Sequence, residues 1–236
     1  MTDAAGPISK LRENIASVFM GNPKAIDRVL RTMLAGGHLL IEDVPGVGKT
    51  VLAGAIARSV QARMARVQMT PDLLPSDILG VSVYDRERGE FSFKPGPIFA
   101  NIVLADEINR TTPRTQTALL EAMSEGTVSI DGTSHALPRP FMVIATQNPY
   151  DFEGTYLLPE NQLDRFLMRT RLGYPDAATE VRVLESRPAS TALPQLKPVM
   201  ELETLAELQR LANAVRVDQK ILEYVVAIAN ATRRSP

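Results

Sequence analysis

The sequence contains no cysteine and only two histidines, His38 and His135. Disulfides and thiol chemistry are therefore excluded, and a structural zinc site cannot be assembled from the ligands it prefers. No apolar run approaches the roughly 20 residues a helix needs to cross a bilayer. The opening MTDAAGPISKLREN lacks the apolar centre of a signal peptide, so the chain reads as cytoplasmic. An excess of positive charge is missing as well. Lys plus Arg number 26 against 27 for Asp plus Glu, leaving a formal charge of -1, and no global field draws the chain to nucleic acid or an anionic membrane. What remains is an ordinary globular composition, 44% hydrophobic and 22% charged over 236 residues. That length suits one main domain and part of a second.

Helical spacing of Ile15, Val18 and Phe19, and then of Ile26, Val29, Leu30, Met33 and Leu34, predicts two helices broken near Gly21-Asn22-Pro23. The apolar stretch His38 to Ile41, the turn-rich DVPGVGKT and the face Val51, Leu52, Ala55, Ile56 and Val60 read as strand, loop and helix. From 67 to 99 proline and glycine are frequent, and a short helix and a hairpin are expected. Phe99 to Ala105 predicts a buried strand ending at Asp106, and Thr112-Pro113 starts a helix that stops at Gly126. Asp131-Gly132 suits a hairpin turn, and Phe141 to Thr146 reads as another buried strand. Beyond Tyr174-Pro175-Asp176 only helices are expected. Thr204 with Glu207 resembles a capping box, and Asp218 can cap the last helix.

In VPGVGKT, Gly46 and Gly48 let the backbone curl so that successive N–H groups face one anion, with the positive end of the next helix behind them. Lys49 would reach the β and γ phosphates, and Thr50 would place its hydroxyl on Mg2+. The nucleotide-binding segment is thus Asp43, Val44, Pro45, Gly46, Val47, Gly48, Lys49, Thr50 and Val51. One position departs from the general G-x-x-x-x-G-K-[ST] pattern, Asp43 standing where the first glycine is expected. A carboxylate beside phosphates is unfavourable, so its side chain should turn outward or cap the loop. A plain glycine-rich turn is the bland alternative.

NIVLADEINR puts two carboxylates at the C-terminal edge of a strand, where ligands of open α/β sheets bind. Asp106 suits Mg2+ through water, and Glu107 suits the base that activates the attacking water. Asn148, after the strand FMVIAT, could hold that water from the other side, although an asparagine before proline is also an ordinary turn former. Arg165 in LPENQLDRF is a candidate for contacting the phosphates of a neighbouring subunit, with Arg110 a second one and a surface salt bridge the plain alternative.

GHLLIEDVPGVGKT, TPDLLPSDILG, FKPGPIFANIVLADEINR, TQTALLEAMSEGTV, VIATQNP and LPENQLDRF together resemble the MoxR family of AAA+ ATPases over nearly the whole chain. The resemblance implies a P-loop αβα core with a central parallel sheet over residues 1–175, with hairpins around 81–93 and 128–137. It also implies a small helical lid over 176–236 and ring-shaped oligomers, usually hexamers. On that likeness Lys49 and Thr50 are the Walker A pair, Asp106 and Glu107 the Walker B pair, Asn148 sensor 1 and Arg165 the arginine finger. ATP and Mg2+ are the implied cofactors. A protein partner, often with a von Willebrand factor A domain, is implied as the client of a chaperone-like ATPase. No segment before Pro236 matches sensor 2, so the chain reads as a fragment with an incomplete lid, which would expose Leu205, Leu208 or Val225. A nucleic-acid motor and a non-hydrolysing nucleotide switch are the alternative readings. The neutral charge and the lack of an evident basic, aromatic-lined channel argue against the first, and Glu107 against the second.

Overall fold

The structure, a computed structural model, describes residues 5–87, 89–149, 154–185 and 192–234. Positions 186–191, within the expected lid, and 235–236 lie outside the described residues, as do 88 in the expected hairpin and 150–153 after Asn148.

The chain opens with α1 (Ala5–Ala16) and α2 (Pro23–Leu34). Asn22 Oδ1 accepts from Lys24 N at 3.0 Å, and Pro23 occupies the first turn, where its missing N–H costs nothing. Strand β1 (Leu39–Glu42) feeds the phosphate-type loop and α3 (Lys49–Ser59). Strand β2 (Met64–Gln68), the short α4 (Pro75–Leu79) and the hairpin β3 (Gly80–Asp85) and β4 (Glu90–Pro95) follow. Next come β5 (Ile102–Asp106), α5 (Pro113–Glu125), and the hairpin β6 (Thr127–Ile130) and β7 (Thr133–Ala136). Asp131 and Gly132 both take left-handed φ, 50° and 77°, as a tight hairpin turn of matching twist demands. Strand β8 (Met142–Gln147), α6 (Glu160–Leu163) and β9 (Met168–Thr170) complete the sheet. Among the described residues the α-helices that follow are α7 (Ala177–Glu185), α8 (Leu202–Asn213) and α9 (Gln219–Arg234).

The five-stranded sheet has the order β2-β5-β8-β1-β9, all neighbours parallel. Alternate residues of each central strand enter opposite cores. Leu39, Ile41, Ile102, Leu104, Met142 and Ile144 pack with α1, α2 and α3, whereas Leu40, Val103, Ala105, Val143 and Ala145 pack with α5 and Ile78. Burial on both faces is why these strands read as continuous apolar runs rather than alternating ones. Each fully buried Leu or Ile contributes about 1.5–3 kcal/mol, so the sheet is a stiff platform for whatever its C-terminal edge carries. The register sets Glu42 beside Gln147 and Gln68 beside Asp106 along that edge. This is the αβα, P-loop type of core that the resemblance implied.

Two expectations about the helices after Asp176 need correction. The helix α8 starts at Leu202 with Glu201 in the cap position, so Thr204 lies inside the first turn and forms no capping box. Val199 N and Met200 N both donate to Ser59 O, at 2.9 and 3.1 Å, and this anchor fixes where the chain enters the helix. Leu205 and Leu208 are not left exposed either. They are 2% and 6% accessible, in the same core as Met33 and Met142, and Gln209 Nε2 donates to Met33 O at 2.7 Å. Val225 on α9 is 55% accessible, and that helix has no buried residue. Asp218 does cap it, accepting from Lys220 N at 3.0 Å.

Candidate functional site

The loop between β1 and α3 turns on two left-handed glycines, Gly46 at φ 90° and Gly48 at φ 89°. The positive φ favours glycine at 48, and a side chain there would also crowd the Phe19 ring at 3.2 Å. Lys49, the first residue of α3, is buried, and its Nζ donates to Asp43 O at 2.7 Å. Burial lowers the Lys49 pKa, while the charges of Asp106, Asp43 and Glu107 oppose that shift. A partly desolvated ammonium in the field of three acids interacts strongly with any anion the loop holds. Thr50, next on the helix, is exposed. The Asp43 carboxylate turns to the segment after β9. One oxygen accepts from Val44 N at 3.0 Å, and the other from Leu172 N and Gly173 N at 2.8 and 2.7 Å.

Asp106 ends β5 two strands away. Its Oδ1 accepts from Thr146 Oγ1 on β8 at 2.7 Å, and its Oδ2 pairs with Arg66 on β2 at 2.7 Å. Glu107 follows in a left-handed conformation, φ 59°, that few non-glycine residues adopt and that costs about 1–3 kcal/mol unless its surroundings hold it. Its N–H donates to the same Thr146 hydroxyl at 2.9 Å, so one buried threonine fixes both acids. The Glu107 carboxylate also receives Gln68 Nε2 at 3.1 Å and Arg110 Nη1 at 3.3 Å. Asn148, half-buried, directly follows Gln147 at the end of β8. The Gln147 amide donates to Glu42, a buried carboxylate that also pairs with Arg169.

Beside Gly46 and Gly48 opens a cleft of about 500 Å3, walled by Val18, Phe19, Met20, Val47, Tyr174 and Pro175. It is mostly apolar, has the volume of a small-molecule pocket and begins where the phosphate-type loop ends. An anion cradle continuous with an apolar slot is the shape a nucleoside phosphate fills.

A model of the ATPase family associated with various cellular activities (AAA) matches residues 38–168, which contain the loop, both acids and Asn148. The Bacillus subtilis protein YeaC is 51% identical over 97% of this chain and 72% of its own length. Chaperone MoxR1 of Mycobacterium tuberculosis is 41% identical over 93% of this chain and 58% of its own. The chain belongs to the MoxR family of AAA+ ATPases. MoxR of Methylorubrum extorquens is 29% identical over 99% of the chain and 71% of that protein. A crystal structure of a Cytophaga hutchinsonii protein superposes with TM-score 0.86 at 37% identity, covering 96% of this chain and 69% of the other. The chain therefore spans between 58% and 72% of these relatives' lengths.

Of the residues singled out in this MoxR-family sequence, the fold gathers Asp43 to Val51, Asp106, Glu107 and Asn148 at one edge of the sheet. Arg165 is placed elsewhere. It is exposed after α6 and donates to Ser124 Oγ on α5. Arg110, the second interface candidate, instead pairs with Glu107 within the same chain. Arg66, Gln68 and Thr146, which hold the two acids, and Phe19 and Tyr174 of the cleft wall are not among the candidate site residues of the sequence. Thr146 carried the only available signal, a polar residue in an otherwise apolar strand.

Proposed function

We propose that this MoxR-family chain hydrolyses ATP with Mg2+, as part of a ring, and couples hydrolysis to the remodelling of a protein partner. The observation that carries this reading is the gathering, at one edge of the parallel sheet, of the left-handed glycine loop with its buried Lys49 and the strand-end acids Asp106 and Glu107. ATP fits the loop and cleft, because a backbone turned by left-handed Gly46 and Gly48 lies beside a mostly apolar slot of small-molecule size. Magnesium also fits. Among the described residues no group of three or more His, Cys, Asp or Glu forms an all-protein cage, and this ion usually takes one or two protein ligands together with phosphate oxygens. Thr50 and Asp106 would hold it, Asp106 through water. When bound, it would neutralise charge on the β and γ phosphates.

In this reading the chain's own groups divide the work. The loop N–H groups and Lys49 bind and orient the triphosphate. Glu107 takes a proton from the attacking water, and Asn148 aligns that water from the neighbouring strand. The Thr146 hydroxyl keeps both acids aimed, while Gln68 and Arg110 restrain the Glu107 carboxylate. Arg165, exposed on its own subunit, would act on the phosphates of the next one in a hexameric ring. The αβα core is residues 1–175, with α8 packed onto it through Leu205 and Leu208, and the helices α7 and α9 belong to the lid. The Mycobacterium relative carries the name of a chaperone. The same role is proposed here, with a protein bearing a von Willebrand factor A domain as the first client to test. Among the described residues no helix is long and apolar enough to cross a membrane, which is compatible with work in the cytoplasm.

The test is phosphate release from ATP by the full-length protein, with and without Mg2+, alongside Lys49→Ala. Turnover that requires the metal and disappears in the variant is expected. No magnesium-dependent turnover in the parent, with Lys49→Ala indistinguishable from it, would remove the enzymatic reading.

A further inference from the structure

We infer that Asp43 is a positioning residue, joining the phosphate loop to the connection after β9 and so setting the two walls of the cleft against each other. This rests on reading the cleft as a nucleotide site. Asp43 stands where the common loop pattern has glycine, and a carboxylate there has the wrong sign for a neighbouring triphosphate. Its charge is engaged elsewhere. Leu172 and Gly173 direct consecutive N–H groups at one carboxylate oxygen, at 2.8 and 2.7 Å, while Val44 N reaches the other at 3.0 Å. Two successive N–H groups converging on one oxygen, with Gly173 at φ 67°, form an anion-binding concavity of the backbone. The anion it binds is a side chain of the phosphate loop.

Both ends of this contact are anchored. The main-chain carbonyl of Asp43 accepts from Lys49 Nζ at 2.7 Å, and Leu172 is 1% accessible in the core. Immediately after Gly173, Tyr174 and Pro175 line the same cleft as Gly46, Val47 and Gly48. Asp176 then accepts from Thr179 N at 2.8 Å and starts α7, whose Glu180, Val183 and Leu184 extend the same wall. Asp43 is thus the side chain through which the loop under the phosphates fixes the wall beside the base. Its loss should weaken what the cleft contributes through the nucleoside and leave what the loop contributes through the phosphates.

The experiment compares dissociation constants for Mg-ATP and for inorganic tripolyphosphate in the full-length protein, in its Asp43→Gly variant and in Asp43→Asn. The glycine variant restores the common loop pattern, yet the preference for ATP over tripolyphosphate should fall about ten-fold, equivalent to about 1.4 kcal/mol. Tripolyphosphate itself should bind as before or more tightly, since a negative charge has left. Asparagine keeps one acceptor oxygen, so its preference should fall to an intermediate value. If the glycine variant does not fold, the asparagine variant decides alone. An unchanged preference in the folded variants, or equal weakening of both ligands, would overturn the inference. A parent that binds neither ligand would instead defeat the nucleotide reading on which the inference stands.

Discussion

Replacing Thr146 by valine removes one hydroxyl and very little volume, which makes it a clean probe of how the two acids are aimed. The side chain is fully buried, donates to Asp106 Oδ1 at 2.7 Å and accepts from Glu107 N at 2.9 Å. A hydrogen bond to a charged partner is worth about 1.5–3 kcal/mol, and an orphaned backbone N–H costs about 1–3 kcal/mol. Two effects reduce the sum. Asp106 keeps Arg66 and some access to solvent, and Glu107 can relax from its φ of 59°, a conformation that stores about 1–3 kcal/mol. The net loss of stability should be about 1–3 kcal/mol, read as a lower urea midpoint. Turnover should suffer more than stability, because that relaxation carries the Glu107 carboxylate off its aim, and a 1 Å misplacement can cost about 100-fold. Thr146→Ser keeps the hydroxyl and should keep most of the turnover. Parental turnover in Thr146→Val, or serine as damaging as valine, would refute the reasoning.

His38 donates through Nε2 to Met123 O at 3.1 Å and accepts Val143 N at Nδ1 at 3.0 Å, and burial lowers its pKa below 6.5. The unfolded chain takes up that proton first, so folding stability should decline as pH falls below about 6.5. The decline levels off once the pH is under the folded-state value, and urea midpoints of His38→Gln should show a shallower dependence across that window. Arg165→Ala should leave nucleotide binding intact and reduce turnover about 1000-fold or more if the arginine acts across an interface. Mixing it with Glu107→Gln should then restore measurable phosphate release, whereas no recovery would place Arg165 outside the neighbouring site. Gly48→Ala forces a Cβ into a left-handed position 3.2 Å from Phe19. It should lose about 1–2 kcal/mol of stability by urea titration.

What the sequence displays is what lies close together along it. The loop from Asp43 to Thr50 is contiguous, and its glycines mark its geometry directly, so its place before α3 was readable. The buried strands β1, β5 and β8 were readable because both of their faces are covered. The edge strands were not: β2 has a single well-buried residue, Val67, and β9 has three residues in all, so neither shows a run or an alternation. With β2 unseen, its residues Arg66 and Gln68 could not be brought to Asp106 and Glu107, some 40 positions later. The contact of Asp43 with Leu172 and Gly173 spans about 130 positions, and no local pattern announces it. The stripe of Leu205 and Leu208 was recognised as apolar, but its partner, α2, lies too far back in the chain for spacing to reveal.

The central claim is that Glu107, at the end of β5, acts on water attacking a triphosphate held by the loop of Lys49. Glutamine at 107 keeps size and hydrogen bonding and removes the base, so phosphate release at saturating Mg-ATP in parent and Glu107→Gln measures that claim most directly. Release should fall about 100- to 10000-fold while ATP affinity is retained. A Glu107→Gln protein that releases phosphate at the parental rate would contradict it.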